Sequence, residues 1–408
     1  MGKTVIIGGG AAGLMAAAQS ASRGNEAVII EKMPKCARKL MITGKGRCNV
    51  TNACFDLNEL ISNVPRNPRF LYSAFSEFMP YDTIAFFEEL GVKTKIERGC
   101  RVFPASDKAS DIVDALVKNA KNKGVVFIHG TAQYFEFENG KISCVVLENG
   151  EKIDCTSVAI CTGGKSYPAT GSTGDGYRLA KSAGHNITPI KPSLVPLVCS
   201  NNFIPRLQGL SLKNISVRLI ENQKEIYSDF GELLFTHFGV SGPVVLSASS
   251  HINMINNNEL RLVIDLKPAL DIEALDKRIL RDFSNELNKD FINSLSALLP
   301  KKLIPVIVEL SGIAPSKKVN EITRQQRKAL AELIKSFTVN ISDFYGIEAA
   351  VITSGGVDVK EINPKTMQSK LVDNLYFAGE VIDVDAYTGG FNLQIAFSTG
   401  YACGNNMK

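Results

Sequence analysis

"KTVIIGGGAAGLMAAAQSASRGNEAVIIE", residues 3–31, decides the fold. A short apolar strand, "KTVII", runs straight into Gly8-Gly9-Gly10-Ala11-Ala12-Gly13. An alanine-rich stretch of high helix propensity follows and stops near Gly24, a plausible C-terminal glycine. A second apolar strand, "EAVII", then ends at Glu31. Strand, G-x-G-x-x-G, helix, strand and acid fall in that order within about 30 residues, as a dinucleotide-binding βαβ unit requires. Gly8 permits the tight turn, Gly10 lets a pyrophosphate approach the backbone, and Gly13 lets helix and strand pack closely. The helix N-terminus, with Ala12 in its first turn, offers free N–H groups to the phosphates, and Glu31 can accept from a ribose hydroxyl. Glu31 suits a free 2′-hydroxyl, which FAD and NAD both present, so this unit alone leaves the two open.

The rest of the chain sets limits on function. At 408 residues it has room for two or three domains, and 45% hydrophobic with 21% charged residues is ordinary globular composition. A net charge of +5 is mild and argues only weakly for nucleic acid or a membrane. The start, "MGKTVIIGGG", lacks signal-peptide architecture, and no run of 18 apolar residues predicts a bilayer span. Nine cysteines with no C-x-x-C pair predict reduced thiols and a cytoplasmic protein, which leaves the sequon at Asn49 a chance match. The four histidines have no metal-ligand spacing, and no metal site is expected.

Outward from the opening unit the pattern changes several times. Residues 57–123 read as loop and helix, with Ser106 or Asp107 as a cap for the helix that follows. Residues 125–161 read as short strands with Asn-Gly turns at 139–140 and 149–150, a small meander. "TGGKSYPATGSTGDGYRLAKSAGH", 162–185, is a glycine-rich loop opening a helix, and Thr162, Gly163 and Gly164 there allow backbone to approach a cofactor. Residues 191–265 are strand-like and 270–336 helix-like, so the middle of the chain reads as an insertion. The end, "NLYFAGEVIDVDAYTGGFNLQIAFSTGYACG", returns to a nucleotide-binding register. Gly379-Glu380 after a strand can hold a ribityl hydroxyl. A helix opening behind Gly389-Gly390, with Asn392 and Leu393 in its first turn, can face the flavin edge that gains negative charge on reduction.

Together with "ITGKGRCNVTN" (42–52), "LLFTHFGVSGP" (233–243) and the two glycine-rich segments, these stretches resemble the BaiN-like flavoproteins over the whole chain. That family includes an aminoacetone oxidase and a bile-acid Δ4,6-reductase. The resemblance implies an α/β fold with a Rossmann-like FAD-binding domain of the glutathione-reductase type, carrying an inserted β subdomain and a helical subdomain. The expected boundaries are 1–190 plus 350–408 for the FAD domain and 191–349 for the insertion, its β part about 191–266 and 337–349 and its helical part about 268–336. It also implies that the 42–52 loop lies beside the pyrophosphate and flavin ring. Gly44 and Gly46 then bring backbone close, Arg47 and Asn49 are donors, and Ala132 belongs to the cofactor site. Six basic residues between Lys32 and Arg47, Lys39 among them, suit a dianionic pyrophosphate. Thr43 and Lys45 stand where the family's commonest form has serine and glycine, so the group presented near the ring differs. Cys48 reads as a packed thiol.

The expected cofactor is non-covalent FAD. With no second G-x-G-x-x-G, NAD(P)H is expected as a transient electron donor. The favoured function is reduction of an activated C=C bond in a small organic substrate, steroid-like or bile-acid-like. A flavin amine oxidase is the alternative and an RNA-modifying flavoenzyme the distant one, with no nucleic-acid or membrane partner expected. His237 is the first acid/base candidate because histidine titrates near neutrality. Tyr387 and Lys45 join it as catalytic candidates.

Overall fold

Strand Lys3–Ile7 (β1) forms because five consecutive residues with a β-branched apolar centre can be buried on both faces, and it sits at the middle of a parallel sheet. Helix Ala11–Ser22 (α1) carries the chain back over that sheet to Glu26–Glu31 (β2), with Gly24 at φ 87° just past the helix end. Val126–His129 (β3), Ser157–Ile160 (β4) and Leu375–Phe377 (β5) complete five parallel strands in the order β5-β4-β1-β2-β3. Ile7 pairs with Ile30 on one side and Ile160 on the other, so the strand order reverses at β1. Crevices at such reversal points are where open α/β sheets bind ligands.

The computed structural model describes residues 2–253, 255 and 259–408. The chain divides into two units, Met1–Ser193 with Gly346–Lys408, and Leu194–Tyr345. Lys191–Ser193 belongs to the first unit because it pairs antiparallel with Ile352–Ser354.

Within the first unit the last helix, Phe391–Asn406 (α2), lies against α1. A Cβ on Gly400 would stand 2.5 Å from the Ala12 carbonyl oxygen, and one on Gly404 2.4 Å from that of Ala16. Small residues on both helices let the backbones touch. Gln394 of α2 is wholly buried and fully satisfied. Its Oε1 accepts from Thr51 (2.6 Å) and Thr83 (2.8 Å), while its Nε2 donates to the Phe78 carbonyl and to Ser398 (both 2.9 Å). The meander forms as a three-stranded antiparallel sheet, and both Asn139 (φ 51°) and Gly140 (φ 77°) take the left-handed conformation its tight turn demands. The expected cap at Ser106 or Asp107 does not form. Helix Ala109–Asn122 has Lys108 at its N-cap position with no side-chain bond, because Asp107 turns left-handed (φ 59°) to reach Arg47 and Lys95.

The second unit is a closed barrel of six antiparallel strands with helices between its fifth and sixth. Its order is Leu197–Cys199, Gly239–Ser241, Lys224–Phe235, Ser211–Glu221, Leu260–Asp265 and Phe337–Phe344. Val217, Leu219, Leu262, Ile264 and Val339 fill its core. Leu275 and Ile279 of helix Ile272–Ser284, and Leu330 and Ile334 of helix Arg324–Lys335, extend that core. Among the described residues no helix is long and apolar enough to cross a membrane.

A candidate dinucleotide-cofactor site

The three motif glycines have three different surroundings. Gly8 is left-handed (φ 104°), and a Cβ there would lie 2.6 Å from the Cys161 carbonyl oxygen at the end of β4. A Cβ on Gly13 would fall 1.9 Å from the Gly8 carbonyl oxygen, so α1 packs against the turn only without a side chain. Around Gly10 nothing lies within 4 Å of a Cβ. That open space belongs to a cleft holding about 1310 Å³ of non-protein volume, partly open to solvent, with Gly8, Gly10 and Ala12 on its wall. α1 has neither a side-chain cap nor an acid in its first turn, so no side chain of its own satisfies its first N–H groups. This is the electrostatic seat a pyrophosphate needs.

Glu31 closes one end. Its carboxylate accepts from the Gly9 N–H and from the Met33 N–H, each at 2.7 Å, which fixes it on the cleft wall with lone pairs to spare. Glu31→Ala is expected to weaken FAD retention by about 1.5–3 kcal/mol, the scale of a hydrogen bond to a charged group. Titration of the cofactor-free protein with FAD measures it, and unchanged retention would remove Glu31 from the ribose.

Other expected residues reach the same cleft. Lys32 lines it while paired to Asp175 at 2.5 Å. Lys39 and Glu380, both on the wall, form an ion pair at 2.8 Å. Ser166 joins it, and Glu380 also accepts from the Thr353 N–H at 2.8 Å. Glu380 is therefore already positioned by several donors rather than waiting alone for a hydroxyl. Ala132, Thr162 and Gly163 line the cleft, whereas Gly164 packs behind it, where a Cβ would meet Thr353 Oγ1 at 2.4 Å. Gly379 touches the first turn of α1, with Ala12 Cβ 2.8 Å from where its own Cβ would be. Gly390 (φ 103°) opens α2, which like α1 lacks both a side-chain cap and a first-turn acid. Asn392 and Leu393 follow on the wall. Asn392 also pins the preceding loop by accepting from the Ala386 N–H (2.8 Å) and donating to its carbonyl (2.7 Å).

The 42–52 loop is arranged differently. Thr43 lines the cleft, but Gly44, Lys45, Gly46, Arg47 and Asn49 do not. Gly44, Lys45, Gly46 and Cys48 are all left-handed, at φ 56°, 61°, 83° and 59°. Arg47 lies over the Phe103 ring, 4.1 Å from its centre, and bonds to Glu97 and Asp107, which hold its guanidinium above the ordinary range. Its charge is met by those acids. Asn49 has a buried Oδ1 with no hydrogen-bond partner. Lys45 is exposed. Burial pushes the Cys48 thiol up to about 12, against a weaker contrary effect from Thr43, and all nine cysteines are free, so no redox pair forms.

Of the remaining candidates, Tyr387 is half-buried and its N–H donates to the Asn63 carbonyl at 3.0 Å. His237 is in the second unit, exposed, with its ring edge-on to Phe238 at 5.0 Å. Phe238 in turn stacks on Tyr345 at 3.8 Å. Sequence reasoning missed Thr131, Ser172 and Ile352, which also line the cleft. Their neighbours Gly130 and Gly171, and the "SGG" after Thr353, were the available signal. Sequence order also hid a Ser369–His185–Glu361 chain, with contacts of 2.8 and 3.0 Å. Ser369 Oγ accepts from the Leu371 and Val372 N–H groups and is buried, which makes it a structural strut. No group of three metal-ligating side chains occurs among the described residues.

These residues fit FAD. Open space at Gly10, two uncapped helix N-termini on one cleft, and Glu31 held at its edge match the three polar parts of that cofactor.

Comparison with known proteins agrees. The HI0933-like protein Rossmann domain family matches residues 2–406. The 3-dehydro-bile acid delta(4,6)-reductase of Clostridium scindens is 31% identical over 99% of this chain and 98% of its own. The ribosomal RNA dihydrouridine synthases of Haemophilus influenzae and Escherichia coli are 32% and 31% identical, covering 98% and 99% of this chain and 97% of each of theirs. Among solved structures, 3-ketosteroid delta1-dehydrogenase from Sterolibacterium denitrificans shares the fold, with TM-score 0.54 at 12% identity over 99% of this chain and 98% of that one.

Proposed function

We propose that this chain, which belongs to the HI0933-like protein Rossmann domain family and is an FAD-dependent oxidoreductase, reduces a C=C bond conjugated to a carbonyl with NAD(P)H as donor. One observation carries the reading. Relatives that align over nearly their whole length are named for adding hydrogen either to a 3-oxo bile acid with Δ4,6 unsaturation or to uridine. Both substrates contain a C=C bond conjugated to a carbonyl, so one reaction covers both names.

When bound, FAD supplies the hydride for the distal carbon of that bond. The chain supplies everything else. The α1 N-terminus holds the pyrophosphate and Glu31 the ribose, and the α2 N-terminus favours negative charge beside Asn392. Charge that develops on the substrate's carbonyl oxygen needs an acid or a cation, the work proposed for His237 and Lys45. The carbon next to that carbonyl needs a proton, the work proposed for Tyr387. His237→Ala is expected to leave FAD retention unchanged and to lower turnover by roughly 10²–10⁴-fold, the scale of general acid–base catalysis. Normal turnover in that variant would return His237 to a structural role.

Two substrate classes follow. A small steroid-like enone is the first reading, supported by the bile-acid reductase. Uridine in ribosomal RNA is the second, supported by the two synthases. Amine oxidation has no counterpart among these relatives' names. Incubation with NADH or NADPH and, separately, a 3-oxo-4,6-diene steroid, deproteinised ribosomal RNA and aminoacetone tests all three. Mass spectrometry should find two hydrogens added to the steroid or to a uridine, and aminoacetone consumed with oxygen would overturn the reductase.

A further inference from the structure

Two aromatic rings from distant parts of the second unit lie flat on one another. Strand Leu197–Cys199 runs between Gly239–Ser241 and Phe337–Phe344, with Leu197 paired to Val240 on one side and Phe344 on the other. Phe238 precedes the first of these neighbours and Tyr345 follows the second, so closing the barrel brings the two together. Backbone bonds fix both. The Cys199 N–H donates to the Phe238 carbonyl, and the Tyr345 N–H to the Pro196 carbonyl, each at 3.0 Å. The rings stack with centres 3.8 Å apart and planes 10° apart. His237 stands edge-on to Phe238, at 88°. Phe238 is half-buried and backs one face of the tyrosine, whereas Tyr345 is 44% exposed.

An exposed flat ring held rigid from behind offers one planar π-face, which suits a planar conjugated ring. It suits a steroid poorly, because saturated rings carry hydrogens and methyl groups above and below their plane. Such a ligand needs apolar walls around it. The approach to Tyr345 is polar instead, with Ser342 and Asp343 exposed on the strand that leads to it. A cation lies near the same turn. Phe235, just before that turn, accepts from the Gly209 N–H at 2.8 Å, and Lys302 donates to the adjoining Gln208 carbonyl. Lys302 is exposed and bonds a carbonyl rather than an acid, which leaves its charge for a phosphate. We propose that Tyr345, backed by Phe238, is a stacking platform for an unpaired base of RNA, with Lys302 taking the strand's backbone. This rests on the reading above of uridine in ribosomal RNA as a substrate. The base must be unpaired, because one inside a duplex has both faces covered by its neighbours. The platform adjoins His237, the acid proposed for that reaction.

The chain contains no tryptophan, so Tyr345→Trp in the FAD-loaded protein puts a single fluorescent reporter on the platform. A short single-stranded oligouridine should quench it to saturation, and the same strand annealed to its complement should not. Anisotropy of a labelled oligouridine gives the affinity. That affinity should fall roughly 5–150-fold in Tyr345→Ala, the scale of one lost base stack, and stay within about twofold in Tyr345→Phe, which keeps the ring. Lys302→Gln should lower the slope of log affinity against log salt by about 0.7 and leave the tryptophan quenching in place. Unchanged affinity in Tyr345→Ala, or no quenching by the single strand, would overturn the platform. A loss shared by Tyr345→Phe would make the hydroxyl the contact and overturn stacking. Displacement of the strand by a 3-oxo-4,6-diene steroid, or by NADPH, at comparable concentration would assign the ring to that ligand and overturn the RNA partner. An unchanged salt slope in Lys302→Gln would overturn the role given to Lys302. These readings need no turnover. If RNA binds through Tyr345 and no uridine is reduced, the reductase reading fails for RNA while the platform stands.

Discussion

Gly10→Ala is expected to leave the fold intact and to strip the protein of FAD, while Gly13→Ala is expected to destabilise the fold itself. The two glycines are three residues apart in one motif, and the difference lies in what a methyl group meets. At Gly10 it enters open cleft, and the backbone there (φ −82°, ψ −168°) is one that alanine adopts readily. The added carbon occupies the approach of the phosphates to the α1 N–H groups. Losing two charge-assisted bonds, each about 1.5–3 kcal/mol, lowers affinity roughly 10²–10⁴-fold. At Gly13 the methyl would sit 1.9 Å from the Gly8 carbonyl oxygen, so α1 must lift from β1. Overpacking against backbone costs about 3 kcal/mol, and FAD binding falls with the turn geometry. Thermal melts of the cofactor-free proteins with FAD titrations separate the cases. A Gly10→Ala protein that stays yellow through gel filtration would contradict the placement of the pyrophosphate.

Removal of residues 346–408 is expected to abolish FAD binding and to leave the first unit unable to fold. The deletion takes β5 from the sheet edge and α2 from the face of α1, and with them Phe377, Ile395 and Phe397, which are buried in the unit's core. Burial of three such side chains is worth roughly 1.5–3 kcal/mol each, which alone approaches a domain's whole stability. The cut also removes Glu380 from Lys39 and the second uncapped helix N-terminus from the cleft. Refolding with FAD, followed by circular dichroism and flavin absorbance, checks this. A fragment of residues 1–193 that held FAD with full affinity would contradict it.

The FAD-domain elements were legible because local rules and tertiary demands coincide in them. "KTVII" and "EAVII" carry unbroken apolar runs, Val5–Ile7 and Ala27–Ile30, as both faces of a parallel strand require, and Gly10, Gly13 and Glu31 occupy motif positions with direct structural causes. The inserted β subdomain was expected, its last strand included, but its closure into a barrel was not, because closure depends on Leu197–Cys199 meeting Phe337–Phe344, about 140 positions later, and no local pattern encodes that pairing. Still longer separations, 341 positions for Lys39–Glu380 and 343 for Thr51–Gln394, hid that ion pair and the Gln394 network. The 42–52 loop shows another limit. The family resemblance marked Arg47 as a cofactor donor, but Glu97 and Asp107 arrive on separate segments to claim it. Composition likewise could not distinguish Asp383 from Asp385, which differ only in which neighbours the fold brings to each.

The central claim is that this FAD enzyme gives its electrons to a C=C bond conjugated to a carbonyl rather than to oxygen. Anaerobic reduction of the bound flavin by NADH or NADPH, followed by mixing either with air or with a 3-oxo-4,6-diene steroid or ribosomal RNA, measures that choice directly. The account predicts rapid bleaching by the nicotinamide, rapid return of the yellow colour with one of the two substrates, and slow return in air. Slow bleaching by both nicotinamides, with fast reoxidation in air and none by either substrate, would contradict it.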